Sequence, residues 1–140
     1  MDFSIKSADS KNSLATIKTD CILVGVYEDK KLTSEAAELD NQGIISNALK
    51  NGDIDGKPGS SLLLREPATT GSRRILLVGL GKKPEISEKY FRQSIDAAIK
   101  SLSQTTVAHL LIALPLNNVS GRDVSWSIYS VLSAFHALLY

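Results

Sequence analysis

One cysteine, two histidines and no excess of either charge sign set the first limits on this 140-residue chain. Cys21, standing alone, excludes an internal disulfide framework and any Cys-x-x-Cys pair for metal or redox chemistry. It fits a compartment that keeps thiols reduced. His109 and His136 are the only imidazoles, and neither has a second His, Cys or carboxylate at ligand spacing. Sixteen basic residues against fifteen acidic ones leave a formal net charge of +1. No global field therefore holds a polyanion, and any nucleic-acid contact has to come from a local patch. Apolar runs fall far short of the roughly 20 residues a membrane span requires. The opening Met1–Asp9 has neither the basic nor the apolar region of a signal peptide. Repeats and low-complexity tracts are missing too. From these absences we expect a cytoplasmic chain with no membrane partner.

What is present is ordinary for a globular protein: 43% hydrophobic and 22% charged residues, enough for one domain around one core. Phe3–Lys6 alternates apolar and polar and predicts a strand, with Ala15–Lys18 as its expected partner. Cys21–Tyr27 is a near-continuous apolar run, the pattern of a strand covered on both faces. Thr33 or Ser34 caps a helix through Leu39, with Glu35 and Glu38 placed to favour the positive end of its dipole. Gly43–Lys50 predicts a second helical piece with Ile44, Ile45, Ala48 and Leu49 on one face, stopped by Asn51-Gly52. Ser61–Arg65 and Ile75–Gly79 read as strands of a hairpin, with Gly71-Ser72 as a turn signal between them. Ser87 is the N-cap of the clearest helix, with Ile86 and Phe91 as a hydrophobic staple. Its apolar stripe is Phe91, Ile95, Ala98, Ile99 and Leu102. His109–Leu114 is a last strand, ended by Pro115. Strands alternating with helices predict a three-layer α/β/α domain, and the hairpin makes its sheet mixed.

Asp123–Tyr140 is apolar nearly all round, which demands covering on more than one side. It carries no stop signal and no basic residue in its last turn. We expect a truncated helix that continues towards another domain, with Phe135 and Leu139 on its uncovered face.

No catalytic set emerges. Gly52–Gly59 has the look of a phosphate loop, but Gly52 and Gly56 enclose three residues rather than four, and Lys57 is followed by Pro58. Gly79-Leu-Gly-Lys-Lys-Pro84 follows a strand and precedes a helix, so Gly79 and Gly81 are candidates for close phosphate approach. Pro84 stands where the third glycine of a dinucleotide fingerprint belongs, which favours a tight strand exit. Asp53 and Asp55 form a D-x-D without further ligands and read as turn residues. Cys21 has no activating base and reads as a small buried hydrophobe. No G-x-S-x-G elbow exists. Arg73-Arg74 and Lys82-Lys83 bracket one strand, so its opposite ends are positive and could meet a phosphate backbone over a long footprint.

Four segments taken together carry a family likeness: Asp2–Ser7, Cys21–Glu28 running into a helix at Thr33, Gly52–Leu64, and Arg74–Lys82. In this order they resemble the N-terminal domain of the bacterial leucyl (cytosol) aminopeptidases, metallopeptidase family M17. The resemblance implies a macro-like domain, a mixed sheet between helices, spanning residues 1–140. It implies a parent polypeptide whose catalytic domain, absent from this chain, holds two divalent metal ions, manganese or zinc, and hydrolyses N-terminal residues from peptides. It further implies a hexameric parent with this domain at the outer corners, and in some members a role in DNA binding. None of the family's metal ligands falls within this chain, so the expectation is no catalytic residue and no cofactor here. Three readings follow. The first is a non-catalytic accessory domain serving assembly and active-site access. The second is a DNA-binding module using Arg73, Arg74, Lys82 and Lys83. The third is a macro-like binder of nucleotide or ADP-ribose at Gly79–Lys82.

Overall fold

A computed structural model describes residues 2–5, 18–40, 43–65, 72–82 and 85–139. Its centre is strand β2 (Thr19–Tyr27), reached after β1 (Asp2–Ile5). β2 turns back through β3 (Lys31–Leu32) into helices α1 (Ser34–Leu39) and α2 (Ile44–Lys50). The hairpin β4 (Ser61–Arg65) and β5 (Ser72–Gly79) follows, then α3 (Glu88–Leu102), β6 (His109–Ala113) and α4 (Val124–Leu139). The strands form one sheet in the order β1-β6-β2-β5-β4. β1, β6, β2 and β5 are parallel, and β4 is antiparallel to β5. β6 leaves β2 at the Val24–Ala113 pair, and β3 takes over that flank opposite Val26 and Tyr27.

The period-two geometry of a strand divides its side chains between two faces, and here both faces are buried. Cys21, Leu23, Leu76, Val78, Leu110 and Ile112 point to one side, where they meet Phe91, Ile95 and Ala98 of α3 with Val131 and Phe135 of α4. Ile22, Val24, Ile75, Leu77, Leu111 and Ala113 point to the other, against Ala36 and Leu39 of α1 and Ile45, Ala48 and Leu49 of α2. The result is the expected three-layer α/β/α domain with a mixed sheet. Each large aliphatic side chain taken fully out of water contributes roughly 1.5–3 kcal/mol, which is what makes continuous apolar runs such as Cys21–Tyr27 fold as central strands.

Local signals hold where their chemistry is explicit. The Ser87 side chain accepts from the Tyr90 amide, and Ile86 and Phe91 lie in one core. Thr33 accepts from Ala36 N at 3.0 Å while its hydroxyl donates to the Gly25 carbonyl at 2.9 Å, so Thr33 is the cap of α1. Asp123 caps α4 through Trp126 N at 2.9 Å. α4 is then pinned to α3: Arg92 and Arg122 lie over the Trp126 ring at 5.5 and 5.1 Å, and Arg122 pairs with Glu88.

Several expectations need correction. α1 has only six residues, so Glu38 sits at its carboxyl end and Glu35 alone is in the first turn. Ser72 belongs to β5, which starts three residues before Ile75 because Ser72 and Arg74 pair with Thr19 and Cys21. Phe135 is wholly buried. Among the described residues, the large exposed apolar side chains of α4 are Val124, Tyr129 and Leu132. Residues 15–17, expected to pair with the first strand, lie outside the described residues, as do Gly71 and the side chain of Leu139.

Candidate functional site

In an open α/β sheet the crevice outside the carboxyl ends of the parallel strands is the usual place for a ligand. That edge is formed here by Tyr27, Gly79 and Ala113, the last residues of β2, β5 and β6. The Gly79–Lys82 turn lies on it. Three backbone N–H groups of the turn are already bonded, each at 2.9 Å. Gly79 N donates to Ser60 O, Leu80 N to Val26 O, and Gly81 N to Gly56 O. The Gly81 carbonyl in turn accepts from Glu28 N at 2.9 Å.

The partner in this crossing is residues 55–60. Asp55 accepts from Lys57 N at 3.0 Å, and Ser60 closes a turn on the Lys57 carbonyl through both its N–H and its hydroxyl. Asp55 is thus a turn residue. Glycine is required where these backbones cross. A Cβ at Gly56 (φ 81°) would overlap the Tyr27 carbonyl, and one at Gly79 would overlap Lys57 O. Gly81 (φ 90°) faces the Tyr90 ring and Pro58.

Apolar side chains pack beside the turn. Leu80 occupies the space that the missing side chain of Gly25 leaves open, and Leu114, Leu116 and Val119 are buried beside it. Ile86 and Val119 form an isolated bridge, with Ile86 N on Asn118 O at 3.0 Å and Ser120 N on Ile86 O at 2.8 Å. The Asn118 side chain donates to Tyr27 Oη at 3.1 Å. Burial raises the Tyr27 pKa, the Asn118 bond opposes that, and the Glu35 charge adds to it.

The other candidate residues are not brought together. Arg74, at the amino end of β5, is held by Asp20 at 2.9 Å, and Asp20 also accepts from Ala108 N at 2.7 Å. Arg73 lies in β5, and its side chain is outside the description. Lys82 is exposed beyond the opposite end of that strand, and Lys83 is outside the described residues. Five residue steps of extended chain separate Arg74 from Gly79, about 17 Å. His109 and His136 are exposed on different elements. Cys21 is wholly buried, and the loss of hydration pushes its thiol up to about 12 against the opposing charge of Arg74. Among the described residues no group of three or more His, Cys, Asp or Glu could hold a metal ion. No helix among the described residues is long and apolar enough to cross a membrane.

One feature was not foreseen. An open groove of about 370 Å³ lies between the β2–β3 turn and the end of α2, with Asp29, Lys30, Lys50 and Asp55 around Leu49 and Ile54. Asp29 and Lys30 both adopt positive φ, 64° and 60°. The Glu28-Asp-Lys-Lys31 run held a turn signal, but β3 is only two residues long, too short for periodicity to register.

Residues 23–140 match the model of the cytosol aminopeptidase family, N-terminal domain. The chain belongs to that family. A probable cytosol aminopeptidase of Pseudoalteromonas atlantica is 39% identical over the whole of this chain, which covers 28% of that protein. One from Methylobacillus flagellatus is 42% identical over 94% of this chain and 26% of its own length. This aminopeptidase-family domain therefore spans little more than a quarter of the relatives it matches. In fold it is similar to the macrodomain of Mycobacterium tuberculosis DarG, with a TM-score of 0.72 at 15% identity, covering 96% of this chain and 93% of that one. It is also similar to a tomato leucine aminopeptidase mutant, with a TM-score of 0.66 at 20% identity, covering all of this chain and 28% of that one. The domain is macro-like, as the resemblance implied.

Proposed function

We propose that this chain is the non-catalytic N-terminal domain of a metal-dependent leucyl aminopeptidase, a cytoplasmic hydrolase that removes N-terminal residues from peptides. On this reading the domain serves the architecture of a hexamer and access to the active site of the adjoining catalytic domain. The observation that carries it is the alignment of the whole chain with about 28% of a probable cytosol aminopeptidase. The two divalent ions, manganese or zinc, then belong to the rest of the polypeptide. The described residues of this chain do not fit such a centre, and no chemical step is assigned to them. The bonded amides at Gly79–Gly81 support a scaffold role, since they spend on internal hydrogen bonds what a ligand site would leave open.

The test is hydrolysis of leucine p-nitroanilide with added Mn²⁺, on this chain beside a polypeptide that also carries the catalytic part. The expected result is turnover by the longer protein alone. Turnover by the verified 140-residue chain would overturn the reading.

The likeness to a macrodomain favours one alternative, binding of nucleotide or ADP-ribose at Gly79–Lys82. The amides of Gly79, Leu80 and Gly81 would take part only if released from Ser60, Val26 and Gly56. Titration calorimetry with ADP-ribose separates the two, and saturable one-to-one heat would favour the alternative. DNA binding through Arg73, Arg74, Lys82 and Lys83 would need Arg74 to leave Asp20. Its signature would be an affinity that falls steeply with salt.

A further inference from the structure

β4 is the last strand of the sheet, and among the described residues none pairs with its outer edge. Its register with β5 fixes which backbone groups face outward. Gly79 N bonds Ser60 O, and Leu62 and Leu64 stand opposite Leu77 and Ile75. Bonded and non-bonded pairs alternate along an antiparallel ladder, so Leu62 and Leu64 turn their peptide groups towards β5. Ser61, Leu63 and Arg65 turn theirs away from it. Edge strands are commonly blunted by Pro, by an inward charge or by a bulge. The segment Ser61-Leu-Leu-Leu-Arg65 has none of these ahead of Arg65, and its three leucines are only partly buried.

The pattern is complementary to itself. Laid antiparallel on its own copy about Leu63, the strand sets Leu63 opposite Leu63, Leu62 opposite Leu64 and Ser61 opposite Arg65. All the outward peptide groups then meet as bonded pairs, each exchanging two N–H···O bonds. Sliding by one bonded pair towards Arg65 sets Arg65 opposite Leu63 and leaves both Ser61 peptide groups unpaired, and sliding the other way leaves both Arg65 peptide groups unpaired. We propose that the outer edge of β4 joins β4 of a second copy of this chain in this register, making one continuous sheet across a two-fold axis at Leu63. The pairing follows from β4 alone and holds whether or not the chain serves an aminopeptidase.

Sedimentation equilibrium of this chain over a range of concentrations tests it, together with amide hydrogen exchange. The expected result is a reversible dimer in which the Ser61, Leu63 and Arg65 amides gain protection as concentration rises. Ser61→Lys, which opposes Arg65 on both sides of the axis, weakens the dimer about tenfold, and Ser61→Glu tightens it severalfold. The Ser61 side chain is exposed and shares a 3.0 Å hydrogen bond with the Ser101 hydroxyl, a contact both variants lose alike, so the comparison of Lys with Glu isolates the charge and thermal denaturation checks the fold. A chain monomeric at millimolar concentration overturns the proposal, as does an equal effect of Lys and Glu at Ser61. A dimer broken instead by Tyr129→Ser and Leu132→Ser also overturns it and places the contact on α4.

Discussion

At the scale of single residues, glycines at similar backbone angles carry very different loads. Gly52 (φ 79°) has open space where a Cβ would stand, whereas Gly56 (φ 81°) lies against the Tyr27 carbonyl. Gly52→Ala should therefore cost about 1 kcal/mol, the strain of the left-handed conformation alone. Gly56→Ala adds a backbone collision and should cost roughly 3 kcal/mol or more, read from urea midpoints. Gly81→Asp combines the left-handed conformation with a contact on the Tyr90 ring, so a loss of phosphate binding in that variant would report on folding as well as on contact. Cys21 gives a pH signature. Its folded pKa of about 12 lies above the ordinary 9.0, so the thiol is neutral in both states below pH 9 and has no effect there. Between pH 9 and 12 the unfolded chain ionises and the folded one does not, so stability falls by a few kcal/mol. Cys21→Ala should flatten that slope, and the native thiol should resist iodoacetamide until the chain unfolds.

At the scale of elements, signals with a named chemical partner were legible and those decided by packing were not. Ser87 was readable as a cap, and Thr33 as one of two candidates with Ser34, because a hydroxyl ahead of an apolar stripe satisfies amides that nothing else in the helix can reach. β3 was hidden because two residues show no period. The early start of β5 was hidden because Arg74 is polar, and only Asp20, 54 residues away in sequence, makes its place in the sheet acceptable. Gly79–Gly81 was readable as a tight strand exit. That its amides are consumed by Ser60, Val26 and Gly56 depends on long-range crossings that no local pattern contains. α4 is the sharpest case. A helix apolar all round does not announce which side is inner. Ser127, Val131 and Phe135 are buried, and Tyr129 is 73% exposed. Phe135→Ala should cost about 3–5 kcal/mol. Tyr129→Ser and Leu132→Ser should each stay within about 0.5 kcal/mol of the parent in thermal denaturation.

At the scale of the whole molecule, the sheet order has a consequence for how the chain is made. β2 is the middle of the sheet, yet its two long neighbours come late: Cys21 pairs with Arg74 on one side and with Leu110 on the other. During synthesis at about 5–20 residues per second, β2 emerges and then waits roughly 5–20 s before β6 exists. Through that interval its apolar run presents an unpaired edge, the kind of segment that self-associates when exposed. Production of this domain should thus be limited by what shelters one strand on the ribosome, and slower elongation past residue 27 should lower the soluble yield more than faster elongation does.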